Sequence, residues 1–315
     1  MKIVLLNKSF LSDKQIESLK KYGEVEVYAQ TETEDELISR LKGAEVAVAD
    51  CWDAPLSRRV FENSPSLKYM SINSTGYDLA DVKAARDNDI SVANVPGFST
   101  DAVAEMTFGL MLATIRHIPI ADEAMRQGPF QVDSANREYD IYLGQNLRGM
   151  TLGIIGLGRI GMRVAEIANG FGMKVIAYNR TKKETPGVEI VGLEDIYRRA
   201  DVISLHTAYD ESLVGLIDKE AFGLMKPTTV IVNTGRAAVI NEDDFYEALT
   251  TGKIAGAGLD LINDWSAKNK LLKLDNVVFT PHSAFFTAES LQNMTRLIVE
   301  NLESYFKGSP QNIIN

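Results

Sequence analysis

The chain contains three histidines, His117, His206 and His282, and one of them is placed to give up a proton. His282 stands in Phe279-Thr-Pro-His-Ser-Ala284, just past a run that reads as a strand. Arg236 follows the run Thr229-Val-Ile-Val-Asn-Thr234 through a single glycine. In a parallel α/β sheet, ligands are met at the carboxyl ends of the strands. An imidazole there can protonate a carbonyl oxygen, and a planar guanidinium can hold a carboxylate with two prongs. The pair suits a 2-oxo acid that receives a hydride. His206 also ends a strand, Val202-Ile-Ser-Leu-His206, and is expected to support a cofactor rather than transfer a proton. His117 follows Arg116 near a helix end, where a cation meets the helix dipole favourably and the expected role is structural.

The element that would position the hydride donor is Gly156-Leu-Gly-Arg-Ile-Gly161. It follows the apolar run Met150-Thr-Leu-Gly-Ile-Ile155 and leads into a helical pattern from Met162 to Phe171. Strand, glycine turn and helix in that order form a dinucleotide site. Gly156 permits the turn, Gly158 lets the main chain approach a pyrophosphate, and Gly161 allows close helix packing. The next strand, Lys174-Val-Ile-Ala-Tyr-Asn179, ends where such sites carry an acid for the ribose 2′-hydroxyl. Here the position is Asn179, followed by Arg180-Thr-Lys-Lys183. A neutral amide trailed by cations and a hydroxyl would attract a 2′-phosphate, so NADP(H) is expected over NAD(H), with Asn179, Arg180, Thr181 and Lys183 as contacts. The alternative is a solvated basic turn.

With 315 residues the chain exceeds a comfortable single core, and two domains are expected. Strand-like runs at 2–6, 24–29, 45–50, 67–72 and 91–95 alternate with amphipathic stretches. A second series follows at 150–156, 174–179, 188–191, 202–206, 229–234, 255–261 and 276–281. Such alternation predicts two doubly wound parallel sheets. The spacing from Asp101 to Gln127 predicts one long helix crossing between domains, capped by Thr100 or Asp101, and 287–306 predicts a final helix returning to the first domain. Between the sheets, residues 129–142 are aromatic and poorly periodic, which suits an arm packing on a second subunit in a homodimer or an ordinary surface excursion.

A net charge of −10 disfavours nucleic acid and anionic membrane as partners. Cys51 is the only cysteine, so a disulfide within the chain and a cysteine-based metal cluster are excluded. No metal site is expected. Met1-Lys-Ile-Val-Leu-Leu6 opens directly on a strand without an apolar signal core, and a cytoplasmic protein is expected.

Further segments extend the pattern: Ser74-Thr-Gly-Tyr-Asp78, Asn94-Val-Pro-Gly97 leading to Ala102-Val-Ala-Glu105, Leu205-His206, Met225-Lys-Pro227, Asn233-Thr-Gly-Arg236, Gly256-Ala-Gly-Leu-Asp260 and Thr280-Pro-His282. In order and spacing the chain resembles the D-isomer-specific 2-hydroxyacid dehydrogenases over nearly its whole length. The resemblance implies a Rossmann cofactor domain, residues 100–286, inserted into a flavodoxin-like substrate domain made of 1–99 and 287–315, with the active site in the cleft. It implies that Arg236 holds the 2-oxo acid and His282 protonates the carbonyl. Main-chain N–H groups of Ser74, Thr75 and Gly76 would bind the substrate carboxylate. Asp260 would contact the nicotinamide, with Val103, Arg159, Ile160, His206, Thr207 and Thr234 also on the cofactor.

The family's usual glutamate, five residues after the aspartate matched by Asp260, is replaced by Trp265. Asp264, one position early and one methylene shorter, is the candidate third catalytic residue, expected to raise the pKa of His282. Ala208 and Ala237 stand where proline and glycine are usual. Trp52 could line an apolar wall for the substrate or fill a core. Phe285-Phe286-Thr287 resembles the lactate and branched-hydroxyacid branch and places Phe286 at the substrate, whereas Asn179-Arg180 resembles NADP-using glyoxylate and hydroxypyruvate reductases. The expected function is reduction of glyoxylate, hydroxypyruvate or a small aliphatic 2-oxo acid to the D-hydroxy acid. The alternatives are a dinucleotide-sensing interaction protein with little turnover and an NAD-dependent D-lactate or D-hydroxyisocaproate type of dehydrogenase.

Overall fold

Short apolar runs bracketed by polar turns form two sheets in the computed structural model, which describes residues 1–7, 10–53, 55–128, 137–181 and 185–315. Its contacts divide into two units, Met1–Ser99 with Phe286–Asn315, and Thr100–Phe285. Lys183 and residues 129–136 of the expected arm lie outside the described residues.

In the first unit, β1 (Lys2–Leu5), β2 (Glu24–Val27), β3 (Val46–Ala49), β4 (Tyr69–Ile72) and β5 (Ser91–Ala93) are all parallel, in the order β2-β1-β3-β4-β5. That is the flavodoxin-like order. Every residue of β3 and β4 is buried, as a sheet covered on both faces requires. The helix Ala288–Phe306 packs against β4: Tyr305 stacks on Tyr69 at 4.3 Å, and Asn301 Nδ2 donates to Asn94 O at 2.8 Å.

The second unit holds β6 (Thr151–Ile155), β7 (Lys174–Tyr178), β8 (Glu189–Ile190), β9 (Val202–Leu205), β10 (Val230–Asn233), β11 (Gly256–Leu259) and β12 (Val277–Phe279), parallel in the order β12-β11-β10-β9-β6-β7-β8. The reversal between β6 and β9 is the topological switch point, and β6 carries the glycine turn at its carboxyl end.

The single helix expected over 101–127 is two helices, Thr100–Ile115 and Ile118–Gln127, with His117 between them in a left-handed conformation, φ 53°. Pro119 is the cause. It lacks an N–H to donate, its ring crowds the carbonyl four residues back, and it is tolerated only in a helix's first turn. Thr100 is already helical and Asp101 lies in the first turn, where it pairs with Arg163 at 2.7 Å. The first helix lies wholly in the second unit, buried against β10, β11 and β12, so it does not cross between units.

Candidate active site

The strand order lines up the residues that matter. Along the carboxyl edge of the seven-stranded sheet stand, in sequence, His282 past β12, Asp260 at β11, Arg236 past β10, His206 at β9, Gly156 at β6 and Asn179 at β7. The outermost two are five strand steps apart, about 24 Å at ~4.8 Å per strand.

Gly156 adopts φ +98°, and a Cβ there would lie 2.7 Å from the carbonyl of His206. A Cβ on Gly161 would strike the carbonyl oxygen of Gly156, while one on Gly158 would meet nothing within 4 Å. The first two glycines close the turn and the third leaves its approach open. No side chain caps the helix Arg159–Gly170 at Gly158, so no capping group competes for the N–H groups of its first turn. Buried beside the turn, His206 Nδ1 and Thr207 Oγ1 have no hydrogen-bond partner. Unspent donors and orphaned polar atoms around an open turn fit a bound dinucleotide.

Burial holds the His206 imidazole down to a pKa of about 3, so it is neutral, and its Nε2 lies 2.6 Å from Ser204 Oγ. A neutral ring cannot be the proton donor at neutral pH. Asn179 acts as a brace: Oδ1 accepts from Leu157 N at 3.1 Å and Nδ2 donates to Thr181 O at 2.7 Å. Arg180, 85% exposed, pairs with Asp210 at 2.9 Å. Val103 is buried on the helix Thr100–Ile115, one turn before Thr107, whose hydroxyl lies 3.0 Å from that of Thr234.

Arg236 is presented by a residue that sequence reading passed over. The buried Asn233 accepts from Gly235 N at 2.9 Å and donates to Arg236 O at 3.0 Å, forming the turn, and Arg236 Nη1 donates to Gly235 O at 3.0 Å. The asparagine two places before a glycine was the available signal.

His282 is held in a left-handed backbone, φ 52°, which is uncommon for a residue with a side chain. Asp260, 1% exposed, clasps the loop in that shape. Its Oδ1 accepts from Thr280 Oγ1 at 2.5 Å and Ser283 N at 2.9 Å, its Oδ2 from Ala284 N at 3.0 Å, and its carbonyl from His282 N at 2.9 Å. Burial raises the Asp260 carboxyl above its ordinary pKa, against the pull of these donors and of His282.

Asp264, expected as the third catalytic residue, bonds within its own turn. Its two oxygens accept from Ser266 N and Ser266 Oγ, both at 2.8 Å, in an exposed turn beside the exposed Trp265. Those bonds lower its pKa. A short aspartate followed two places later by serine bonds locally instead of reaching out. Asp264→Asn is therefore expected to leave the midpoint of the pH–rate profile in place. A shift of about a unit or more, the mark of a carboxylate paired with the acid, would sink this.

In the first unit, the loop after β4 spends its carbonyls inward. Ser74 O accepts from Val95 N at 3.1 Å, Thr75 O from Asn94 Nδ2 at 2.8 Å, and Gly76 O from Ser74 Oγ at 2.6 Å. Among the described residues, the N–H groups of Ser74, Thr75 and Gly76 have no acceptor. Trp52 and Phe286 are 46% and 54% exposed, so neither fills a core. Among the described residues no cluster of metal-ligating side chains occurs, and no helix is long and apolar enough to cross a membrane.

Residues 108–284 match the family model described as D-isomer specific 2-hydroxyacid dehydrogenase, NAD binding domain. The chain is 36% identical to a glyoxylate reductase of Thermococcus litoralis over 95% of this chain and 93% of that one. It is 34% identical to a hydroxypyruvate reductase of Blautia hydrogenotrophica over the full length of both. In structure it is similar, with a TM-score of 0.93 and 35% identity over all of both chains, to an acyclic imino acid reductase in complex with NADPH and D-Arg.

Proposed function

Since the chain belongs to the D-isomer-specific 2-hydroxyacid dehydrogenases, NAD(P)-linked oxidoreductases of CH–OH groups, we propose that it reduces glyoxylate, hydroxypyruvate or a small aliphatic 2-oxo acid to the D-hydroxy acid, with NADPH preferred. The observation that carries the reading is the shared sheet edge: a glycine turn fit for a dinucleotide, a guanidinium and an imidazole on strands of one rigid sheet. A bound nicotinamide supplies the hydride. Arg236 holds the substrate carboxylate. His282 gives its proton to the carbonyl oxygen, which becomes the hydroxyl, and Asp260 keeps the histidine's loop in place. The relatives' names support glyoxylate and hydroxypyruvate.

NADPH preference rests on Asn179 standing where an acid would repel the 2′-phosphate, with Arg180 and Thr181 following. The Arg180–Asp210 pair is exposed and weak, so a phosphate displaces the aspartate readily. The test is oxidation of NADPH and NADH with glyoxylate, hydroxypyruvate, pyruvate and 2-oxoisocaproate. Rapid NADPH-dependent turnover is expected. Preference for NADH would refute the cofactor assignment, and binding without turnover would leave the dinucleotide sensor. The likeness to the acyclic imino acid reductase favours a second reading, reduction of a 2-imino acid to the amino acid. Chromatography of the product formed with and without ammonium separates the two.

We also propose a homodimer formed through the second unit. Ile118, Met125, Ile141 and Leu143 are 51%, 60%, 58% and 78% exposed, and a cavity of about 180 Å³ at the amino edge of the sheet is lined by Ile120, Leu143 and Val277 among others. Apolar surface of this kind ordinarily meets a partner. Sedimentation at micromolar concentration should give a dimer, and a monomer would refute it.

A further inference from the structure

Two buried hydroxyls in the second unit share a contact whose direction follows from counting hydrogens. Thr107, fully buried on the helix Thr100–Ile115, has its Oγ1 2.8 Å from Val103 O and 3.0 Å from Thr234 Oγ1. A carbonyl carries no hydrogen, so Thr107 donates to Val103, one turn back in its own helix. Its single hydrogen is then spent, and the second contact takes the hydrogen of Thr234. Among the described residues the Thr234 hydroxyl has no other partner. Its oxygen is left able to accept and unable to donate.

Thr234 stands where that restriction has a use. It follows β10 directly and precedes Gly235 and Arg236, and it is the member of the pair with surface left, 9% exposed against 0% for Thr107. The ladder pairs Asn233 with Leu259, and Asp260 N donates to Asn233 O at 2.9 Å, so Thr234 and Asp260 leave neighbouring strands side by side. Among the described residues Asp260 Oδ2 accepts from Ala284 N alone, which leaves a second acceptor at this part of the edge. β10 lies two strand steps from the glycine turn after β6, about 10 Å at ~4.8 Å per strand, on the side opposite Asn179. Under the proposed roles, a dinucleotide with its pyrophosphate at the turn and its adenosine end at Asn179 extends its nicotinamide end toward β10 and β11.

We propose that Thr107 and Thr234 together select the carboxamide of the nicotinamide: Thr107 draws the Thr234 hydrogen inward, and Thr234 Oγ1 accepts from the amide N–H. Thr107 is thereby a positioning residue that acts through Thr234. A pyridine ring bearing a ketone in place of the amide brings only an acceptor and meets an oxygen with nothing to give. The proposal deepens, and rests on, the reading that the glycine turn seats a dinucleotide for 2-oxo acid reduction.

The test measures dissociation constants, by calorimetric titration, for NADP⁺ and its 3-acetylpyridine analogue, which lacks the amide hydrogens, with NAD⁺ and its own analogue alongside. The parent should favour the natural coenzyme. Thr234→Val should reduce that preference by about threefold or more, the worth of one neutral hydrogen bond. Thr107→Val should reduce it as well, because Thr234 regains a hydrogen that the ketone can accept. Thr107→Ser keeps the inward acceptor and should retain the parent ratio. General loosening of the site weakens both dinucleotides alike and leaves the ratio in place. Should Thr107→Val not fold, as thermal melting would reveal, Thr234→Val and Thr234→Ser decide, valine losing the preference and serine keeping it. A parent without preference, a ratio unmoved by Thr234→Val, or equal weakening of both dinucleotides by Thr107→Val overturns the proposal. Turnover of a 2-oxo acid with NADPH in that event leaves the broader reading intact. Binding of none of the four dinucleotides removes both.

Discussion

His282→Asn is expected to lower kcat for 2-oxo acid reduction by about 10²- to 10⁴-fold, the usual worth of a positioned general acid. Asparagine is the informative replacement because the residue sits at φ 52°, and asparagine enters that left-handed region more readily than most side chains. The loop therefore keeps its shape while the proton is lost. Asp260, with its bonds to Thr280, Ser283 and Ala284, continues to hold the turn. Dinucleotide affinity, followed by fluorescence titration, should change little, since the glycine turn lies four strand steps away along the sheet. A variant with kcat within tenfold of the parent would remove His282 from the acid's role.

Arg236→Gln is expected to lower kcat/KM by about 10²- to 10⁴-fold, the equivalent of two charge-assisted hydrogen bonds to the substrate carboxylate. Asn233 fixes the turn and Gly235 O accepts from Nη1, so the guanidinium is restrained by its own turn. Lysine keeps the charge but loses the two-pronged geometry, and Arg236→Lys should recover only part of the loss. Full recovery by lysine, measured with hydroxypyruvate at saturating NADPH, would reduce Arg236 to a point charge and leave the planar recognition unsupported.

Much of this could be read from the chain. The β-α alternation announces two parallel sheets because each strand is an apolar run bounded by turn residues. Strand order is the part that periodicity does not contain; it comes with the family likeness, and the two sheets have the flavodoxin-like and Rossmann orders. The glycine turn was legible since its spacing is itself a backbone requirement. His282 and Arg236 were legible as residues just past strands.

What failed did so for local reasons. One proline turned a 27-residue expectation into two helices, because a missing N–H outweighs a continuing apolar pattern. Asp264 accepts from Ser266 with both its oxygens, a local pairing that the spacing alone did not announce. The clasp of Asp260 and the brace of Asn179 join residues about 20 positions apart, and no spacing rule foretells such bonds.

The line of residues along the seven-stranded sheet also governs how the protein can change. Free-energy effects of substitutions more than about 7–10 Å apart usually add, and those between contacting groups do not. His282 and Asn179 hang from strands five steps apart, so under the proposed roles a substitution at one end should leave the other nearly untouched. Asp260 and Arg236, on neighbouring strands, lack that independence. Drift or engineering can thus exchange the nucleotide end by single steps, whereas the reactive end must move as a set.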